Sequence, residues 1–524
     1  MPEYLSPGVY VQEESSGVKP IEGVGTSTAC FVGAAARGRP FYPTFITSWS
    51  DYERLFGEMT KEADMPLAVY HFFLNGGKRA YVVRLLDPEA PVGVAKLSTE
   101  GDVGEVNVEA VGGGAWSSTL FVKVRLSNAG RDPSDPDADP NLPVLYDFVV
   151  FEEVDGEPQD LETIPRVGVK EDGERFYASI INRDSNYIRI DQGEAADFPQ
   201  EEFTLEEVET ADGKEQRAVA PLAGGDDGSA AKVFLPETLK LAFKELDVLD
   251  DVNILAIPGK YEADIVATGV AYVADRRDLI YVIDPPGDPR NRSKREVQLE
   301  DVAKRLKAMT KDSHAALYFP WIEVPDPYSQ IPGATRFAPP SGAIAGLYAR
   351  IDNRRGVWKA PAGTEATILG AVGVAVQVTD ADQEILNPIG VNCIRQFPDA
   401  GIVVWGTRTI ATRQDPEYRY VPVRRFAMFL AKSLYRGTQW VVFEPNDEPL
   451  WAAIRFNLNA FMLRQFRAGA LQGSKPEEAY FVKCDAENNP QASIDAGEVH
   501  IIVGFAPLKP AEFVIIHLTQ MRKE

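Results

Sequence analysis

Histidine and cysteine are scarce in this chain. Its 524 residues include four histidines and three cysteines. His71, His314, His500 and His517 show none of the spacings of a metal-ligand pair, and Cys30, Cys393 and Cys484 form no CxxC motif. No metal site and no cofactor are therefore expected. Three cysteines so far apart also make a poor disulfide framework, and synthesis in a reducing cytoplasm fits them. Long apolar runs are missing: nothing approaches the roughly 18 to 20 residues of a membrane span. The opening MPEYLSPGVYVQEE lacks the basic stretch and apolar core of a secretory signal. Positive charge is in short supply as well. Lysine and arginine number 54 against 78 aspartates and glutamates, a formal net charge of −24, which argues against nucleic acid or anionic lipid as partner.

Catalytic signatures are equally thin. GVGTST (Gly23 to Thr28) and Gly112 to Gly114 are glycine-rich, yet neither fits a P-loop or a dinucleotide fingerprint. No GxSxG elbow occurs. His71, beside Tyr70 on an apolar helical stretch, reads as a packed or interfacial residue rather than a base. No catalytic, cofactor-binding or metal-binding residue is nominated.

What is present is apolar material for several cores. Hydrophobic residues make up 44% and aromatics 10%, and this length implies two to four domains. The acidity is concentrated. Residues 101–220 hold 28 Asp/Glu against 10 Lys/Arg, a net of −18 and three quarters of the total. Within them the loop RDPSDPDADPNLP (Arg131 to Pro143) cannot sustain a helix or a ladder. LFVKVRL (Leu120 to Leu126) and LYDFVVFEEV (Leu145 to Val154) alternate as half-buried antiparallel strands do. The plain reading is a solvated, mainly-β insert. A sharper one is an outward-facing domain whose charge keeps its copies apart.

On either side of the insert, strands and helices alternate, as in an α/β layer with a largely parallel sheet. TACFVGAAARG, SWSDYERLFG and MPLAVYHFFLNGGKRAYVVRLL give strand, capped helix, helix and buried strand. Later come VNILAIPG, a helix near Asp264 to Arg276, DLIYVIDPPG, a helix near Val297 to Met309, and AALYFPWIEV read as one strand. Past Arg419, YVPVRRFAMFLAKSLYRG reads as a helix closed by Gly437, and TQWVVFEP as a strand. The next helix starts at Asn446 as N-cap and carries an apolar stripe of Leu450, Ile454, Leu458, Phe461 and Met462. The fold class is thus α/β multidomain, with an N-terminal arm (1–25), a core (26–95 and 231–418) interrupted by the acidic insert (96–230), and an α+β C-terminal domain (419–524).

Four blocks, in order, carry a resemblance. They are YLSPGVYVQE (Tyr4 to Glu13), PPSGAIAGLYARIDNRRGVWKAPAG (Pro339 to Gly363), LNPIGVNCIRQFPDAGIVVWGTRTI (Leu386 to Ile410), and YRYVPVRRFAMFLAKSLYRGTQWVVFEPNDEPLW continuing through PLKPAEFVIIHLTQ. In the second, Gly342, Ala343, Ala345 and Gly346 permit close backbone approach, and Arg350 with Asp352 reads as a satisfied structural pair. In the third, Arg408 follows an apolar run as a residue bonding carbonyls or a carboxylate. Together the blocks resemble the contractile tail sheath proteins of phages and related injection systems, and the acidic insert takes no part in the likeness.

The resemblance implies a core likened in fold to subtilisin, without a catalytic triad, and a structural rather than enzymatic role. It implies a homo-oligomeric sheath lattice around an inner tube, with baseplate and tail-terminator or cap proteins as further partners. Such a subunit is assembled in the bacterial cytoplasm and works in a phage tail or injection particle, contracting to a shorter, wider lattice with no nucleotide needed. Terminal strands would be exchanged between subunits through Tyr4, Val9 and Val11 at one end and Val499, Ile501, Val503, Phe513 and Ile515 at the other. The plain alternative packs each terminus on its own domain. Arg455, Arg464, Arg467 and Lys475 are candidates to face an acidic tube; alternatively they are solvated residues balancing the helix dipole. Two rival readings are a non-contractile tube or capsid-like protein, and a soluble α/β enzyme or binding protein.

Overall fold

Four short runs of wholly buried residues dictate the architecture, because a strand buried on both faces needs a layer above and below it. The computed structural model describes residues 20–99, 105–131, 142–154, 156–191, 199–210, 213–286, 289, 295–513 and 515. It begins with β1 (Ala29–Gly33), β2 (Thr44–Ile46), α1 (Trp49–Phe56), α2 (Met65–Leu74) and β3 (Ala80–Arg84). Ser48 caps α1 by accepting from Asp51 N–H, and Gly57 ends it at φ 83°, the two boundary residues the sequence indicated.

An antiparallel excursion follows: β4 (Val94–Ser98), β5 (Glu105–Ala110), β6 (Leu120–Leu126), β7 (Tyr146–Val154), β8 (Glu157–Val167), α3 (Tyr177–Asp184), β9 (Ile188–Ile190), β10 (Glu206–Thr210) and β11 (Gly213–Pro221). Its strands form a five-stranded sheet in the order β10-β11-β6-β7-β8 and a three-stranded sheet β4-β5-β9. Val122, Phe148, Tyr177 and Ile181 belong to the core these sheets share. Most of the loop Arg131 to Pro143 lies outside the described residues.

The α/β pattern then resumes with α4 (Pro236–Leu246), β12 (Ile254–Ala256), α5 (Ala263–Arg276), β13 (Ile280–Ile283), α6 (Arg295–Ala308), β14 (Ala315–Phe319), β15 (Ile322–Pro325), β16 (Thr335–Ala338), α7 (Ser341–Arg355), β17 (Gly373–Val374), α8 (Asp380–Leu386), β18 (Val391–Phe397) and β19 (Gly401–Val404). Both halves enter one eight-stranded sheet, ordered β19-β18-β14-β13-β12-β1-β3-β2. Its middle strands run parallel, and β1 beside β12 joins the segments before and after the excursion, with Ala29 opposite Ile254. The edge strands β2 and β19 are antiparallel. Residues of α1, α2 and α7 fill one face and residues of α4, α5 and α6 the other. The stretch AALYFPWIEV is two strands rather than one: β14 enters the main sheet, while β15 pairs β16 and β17 in a separate small sheet.

Helices α2 and α7 touch backbone to backbone. A Cβ at Gly342 would lie 2.1 Å from the Ala68 carbonyl oxygen, and one at Gly346 would lie 2.4 Å from that of Phe72. Arg350 and Asp352 are both satisfied, but not by each other. Arg350 donates to the carbonyls of Asn75 and Thr367, whereas Asp352 receives Arg425. The sequence reading joined the two as a structural pair, yet they take separate partners.

The C-terminal part contains α9 (Val421–Gly437), α10 (Glu448–Arg467), α11 (Pro476–Ala479), β20 (Tyr480–Lys483), α12 (Gln491–Asp495) and β21 (Ile502–Phe505). The stripe of Leu450, Ile454, Leu458, Phe461 and Met462 is buried against Phe426 and Leu430 of α9. The true N-cap of α10 is Asp447, which accepts from Leu450 N–H. Asn446 instead accepts from the Trp451 indole and donates to the Glu498 carbonyl. TQWVVFEP is not a strand: Gln439–Val441 make a short 3-10 turn, and Val442 and Phe443 stand exposed. Their β propensity has no neighbouring strand to act on, and Pro445 blocks further pairing.

Candidate functional site

The first and the last described segments are both held by long-range side-chain contacts. At the N-terminal side, Ile21 is 1% exposed within the C-terminal core. Val24 N–H donates to Ser433 Oγ (3.1 Å) on α9. Thr26 then enters a buried knot: its hydroxyl donates to Asp352 Oδ2 (2.6 Å), and Arg425 donates to both Asp352 oxygens (2.9 and 2.6 Å) and to the Thr26 carbonyl (2.9 Å). The guanidinium also lies 4.5 Å from the Tyr348 ring centroid. Three segments distant in sequence are thereby tied at the root of the N-terminal arm. Tyr4, Val9 and Val11, on the arm itself, lie outside the described residues.

The C-terminal root is held by Glu512. Arg408 forks onto it with Nε to Oε1 (2.8 Å) and Nη2 to Oε2 (2.5 Å), and the Tyr420 hydroxyl donates to Oε2 (3.0 Å). Arg408 also bonds the Asn387 carbonyl (3.1 Å), so the sequence reading of this arginine holds on both counts. Burial works to raise the Glu512 carboxyl, but the arginine and tyrosine overcome it and hold the group below the usual glutamate range. Immediately beyond, Phe513 and Ile515 are 74% and 78% exposed.

A two-stranded ribbon packs on the same C-terminal core that buries Ile21. β20 pairs β21 antiparallel, with Phe481 opposite Gly504 and Val482 opposite Val503. Tyr480, Val482, Val503 and Phe505 pack on the C-terminal core, while Phe481 and Ile502 are exposed on the other face. The strand is shorter than the segment Val499 to Phe505 foretold. Val499 and Ile501 precede it and pack on the core, and Val503 pairs within its own chain. Among the described residues no third strand joins the ribbon.

The four basic candidates divide. Arg455 bonds the Cys484 carbonyl and Glu448, and Arg464 bonds the Ile21 carbonyl, so both serve the chain's own fold. Arg467 and Lys475 are exposed, at the end of α10 and before α11. A cleft of about 1030 Å³ opens between the C-terminal root, the end of α10 and the loop carrying Trp358. Sequence reasoning found neither this cleft nor the partners of Arg408 and Arg425, since no periodicity or motif links residues so far apart.

The most enzyme-like feature is structural. Asp284, buried at the end of β13, accepts from Gly259 N–H (2.9 Å), Ser341 N–H (2.8 Å) and Ser341 Oγ (2.7 Å), and so caps the first turn of α7. Desolvation pushes its carboxyl up to about 7. His71 is buried on α2, with burial lowering its pKa to about 4, while His314 and His500 pair with Asp312 and Glu498. No described group of three His, Cys, Asp or Glu is placed to hold a metal ion. No described helix is long and apolar enough to cross a membrane.

Residues 242–410 match the phage tail sheath protein central domain, and residues 413–520 the phage tail sheath C-terminal domain, together just over half of the chain. The tail sheath protein of Vibrio phage KVP40 is 29% identical over 191 residues, covering 36% of this chain and 27% of that protein. That of Burkholderia phage BcepMu is 28% identical over 203 residues, covering 37% and 40%. The matched stretches thus span less than half the length of either relative. In fold, the chain is similar to the contracted-state sheath of the extracellular contractile injection system PVC, with a TM-score of 0.59, 22% identity and 99% of both chains covered. The two family models, the curated relatives and the likeness in fold agree: the chain belongs to the contractile tail sheath protein family.

Proposed function

We propose that this chain is the structural subunit of a sheath that polymerises around an inner tube and contracts from an extended to a shorter, wider lattice. The observation that supports this is the pair of arm roots together with a ribbon that holds only two strands among the described residues. A two-stranded ribbon has two outer edges, and each can take an added strand through backbone hydrogen bonds. Tyr4, Val9 and Val11 from one neighbour and Phe513 and Ile515 from another are the candidate strands. Val499, Ile501 and Val503 belong to the receiving side in this reading. The arms keep neighbours linked while globular bodies rotate, and a gain of a few kcal/mol per subunit, summed over many copies, drives the change between two packed arrangements.

The remaining domains take supporting parts. The eight-stranded layer is the portion we read as subtilisin-like, a rigid body with no chemistry of its own. The acidic insert faces outward and keeps neighbouring copies from associating through their sheet edges. Baseplate and terminator proteins close the two ends of the polymer.

The arms are tested by removing residues 1–14. The truncated chain should unfold at the wild-type temperature yet form no sheath, and normal polymers from it would sink strand exchange. Arg467 and Lys475 carry the tube-facing assignment. Charge reversal of both, as Arg467→Glu with Lys475→Glu, should release the tube while subunits still polymerise. Unchanged co-sedimentation of tube with sheath would reject that assignment.

A further inference from the structure

Phe443 has no burial at all: its exposure is 102% of the reference value, and Val442 before it is 57% exposed. Its backbone sits at φ 70°, a left-handed conformation that a bulky residue adopts only where the surroundings or a function demand it. The turn between α9 and α10 thus holds an aromatic ring out into water as a knuckle. Glu444 and Asp447, both exposed, flank it.

The cleft described above has the matching character. Trp358, Trp405, Leu508 and Pro510 give it apolar walls. Five cations and three carboxylates line it, a net positive charge opposite in sign to the knuckle. Its rim includes Ala468 and Gly469, at the C-terminal end of α10. The knuckle lies at the other end of that helix, whose 20 residues span about 30 Å at 1.5 Å each. A straight helix holds the two apart, so no copy can seat its own knuckle in its own cleft.

We infer that the Val442–Phe443 knuckle of one copy docks in the Trp358–Trp405 cleft of a second copy of this chain. A surface that fits a different surface on an identical molecule makes a head-to-tail contact, which generates rings or helices rather than a closed dimer. This contact deepens the polymer reading and rests on it. It also adds an aromatic anchor in a pocket to a mesh otherwise held by backbone strands. The cleft contains the root of the C-terminal arm, so a docked knuckle touches the residues at which that arm departs.

The test places the photo-crosslinker p-benzoylphenylalanine at position 443 of the full chain, in polymers mixed from isotopically light and heavy subunits. Cross-links from 443 to peptides containing Trp358, Trp405 or Leu508, joining light to heavy copies, are expected. Polymers whose 443 cross-links go only to tube protein, only within one copy, or to another surface would overturn the contact and leave the sheath reading standing. Failure of the unmodified chain to polymerise under any condition would overturn both. Phe443→Ala and Trp405→Ala should each raise the concentration needed for polymerisation roughly tenfold or more, and the double variant should be no worse than the weaker single one. Effects that multiply would contradict the inference. Since Phe443 buries nothing, its alanine variant should melt at the wild-type temperature as a monomer.

Discussion

Arg408 and Glu512 carry side chains only 10% and 13% exposed, so their pairing is less a source of stability than a condition of it. Forming such a pair nearly balances the cost of desolvation, whereas removing one partner strands a buried charge at a cost of about 3–5 kcal/mol in fully buried cases. In the proposed sheath, that asymmetry makes the pair a sound fastening for the C-terminal arm. Asp284 shows the opposite electrostatics. Its carboxyl titrates near 7 in the folded chain against about 3.9 when unfolded. The native state therefore holds more protons between those values, and Asp284's contribution to stability falls as pH rises through that window. Asp284→Asn removes this dependence. The difference in melting temperature, wild type minus variant, should shrink from pH 4 to pH 8, by the equivalent of at most about 4 kcal/mol; a difference that widens would show that the carboxylate is stabilised when charged. At this scale the sequence was legible in part. Arg408 announced a carboxylate or carbonyl partner, but Glu512 lies 104 residues away, with no local pattern to point to it.

Elements read better than residue pairs, because their signals are periodic. The stripe on α10 and the capped α1 came straight from spacing and end residues. The errors fell where propensity and context disagree. Trp440 to Phe443 have the composition of a strand, but they turn between two helices, where Pro445 and an early cap at Asp447 end any extended run. AALYFPWIEV was apolar throughout, and nothing in it marked the change of sheet. The small residues of α7 were read correctly as a close-approach face, and that reading is testable. A methyl group at Gly346 meets the Phe72 carbonyl at 2.4 Å and Asn75 Cβ at 2.8 Å, and backbone cannot step aside as a flexible side chain does. Gly346→Ala should lower stability by about 1–3 kcal/mol through overpacking, measured by denaturant unfolding of the monomer. A neutral result would mean that α2 and α7 can separate freely.

At the scale of the whole molecule, composition narrowed the function classes before any motif was read. Few histidines, few cysteines and no nucleotide loop pointed away from chemistry, and the uneven acidity marked off the antiparallel excursion. Four ordered blocks then gave the family. The sequence set the two halves of one α/β layer on either side of the excursion, but it did not disclose the strand order that joins them or the long-range contacts that hold the first and last described segments. Contacts of that range follow from packing, which one sequence encodes without displaying. The account's central claim concerns many copies, and helical reconstruction by electron microscopy of the full chain, assembled with its inner tube before and after triggering, tests it most directly. We expect two lattices that differ in length and diameter, in both of which the ribbon of Tyr480–Lys483 and Ile502–Phe505 carries added strands from neighbouring arms. A single fixed lattice, or ribbons with bare edges in the polymer, would contradict it.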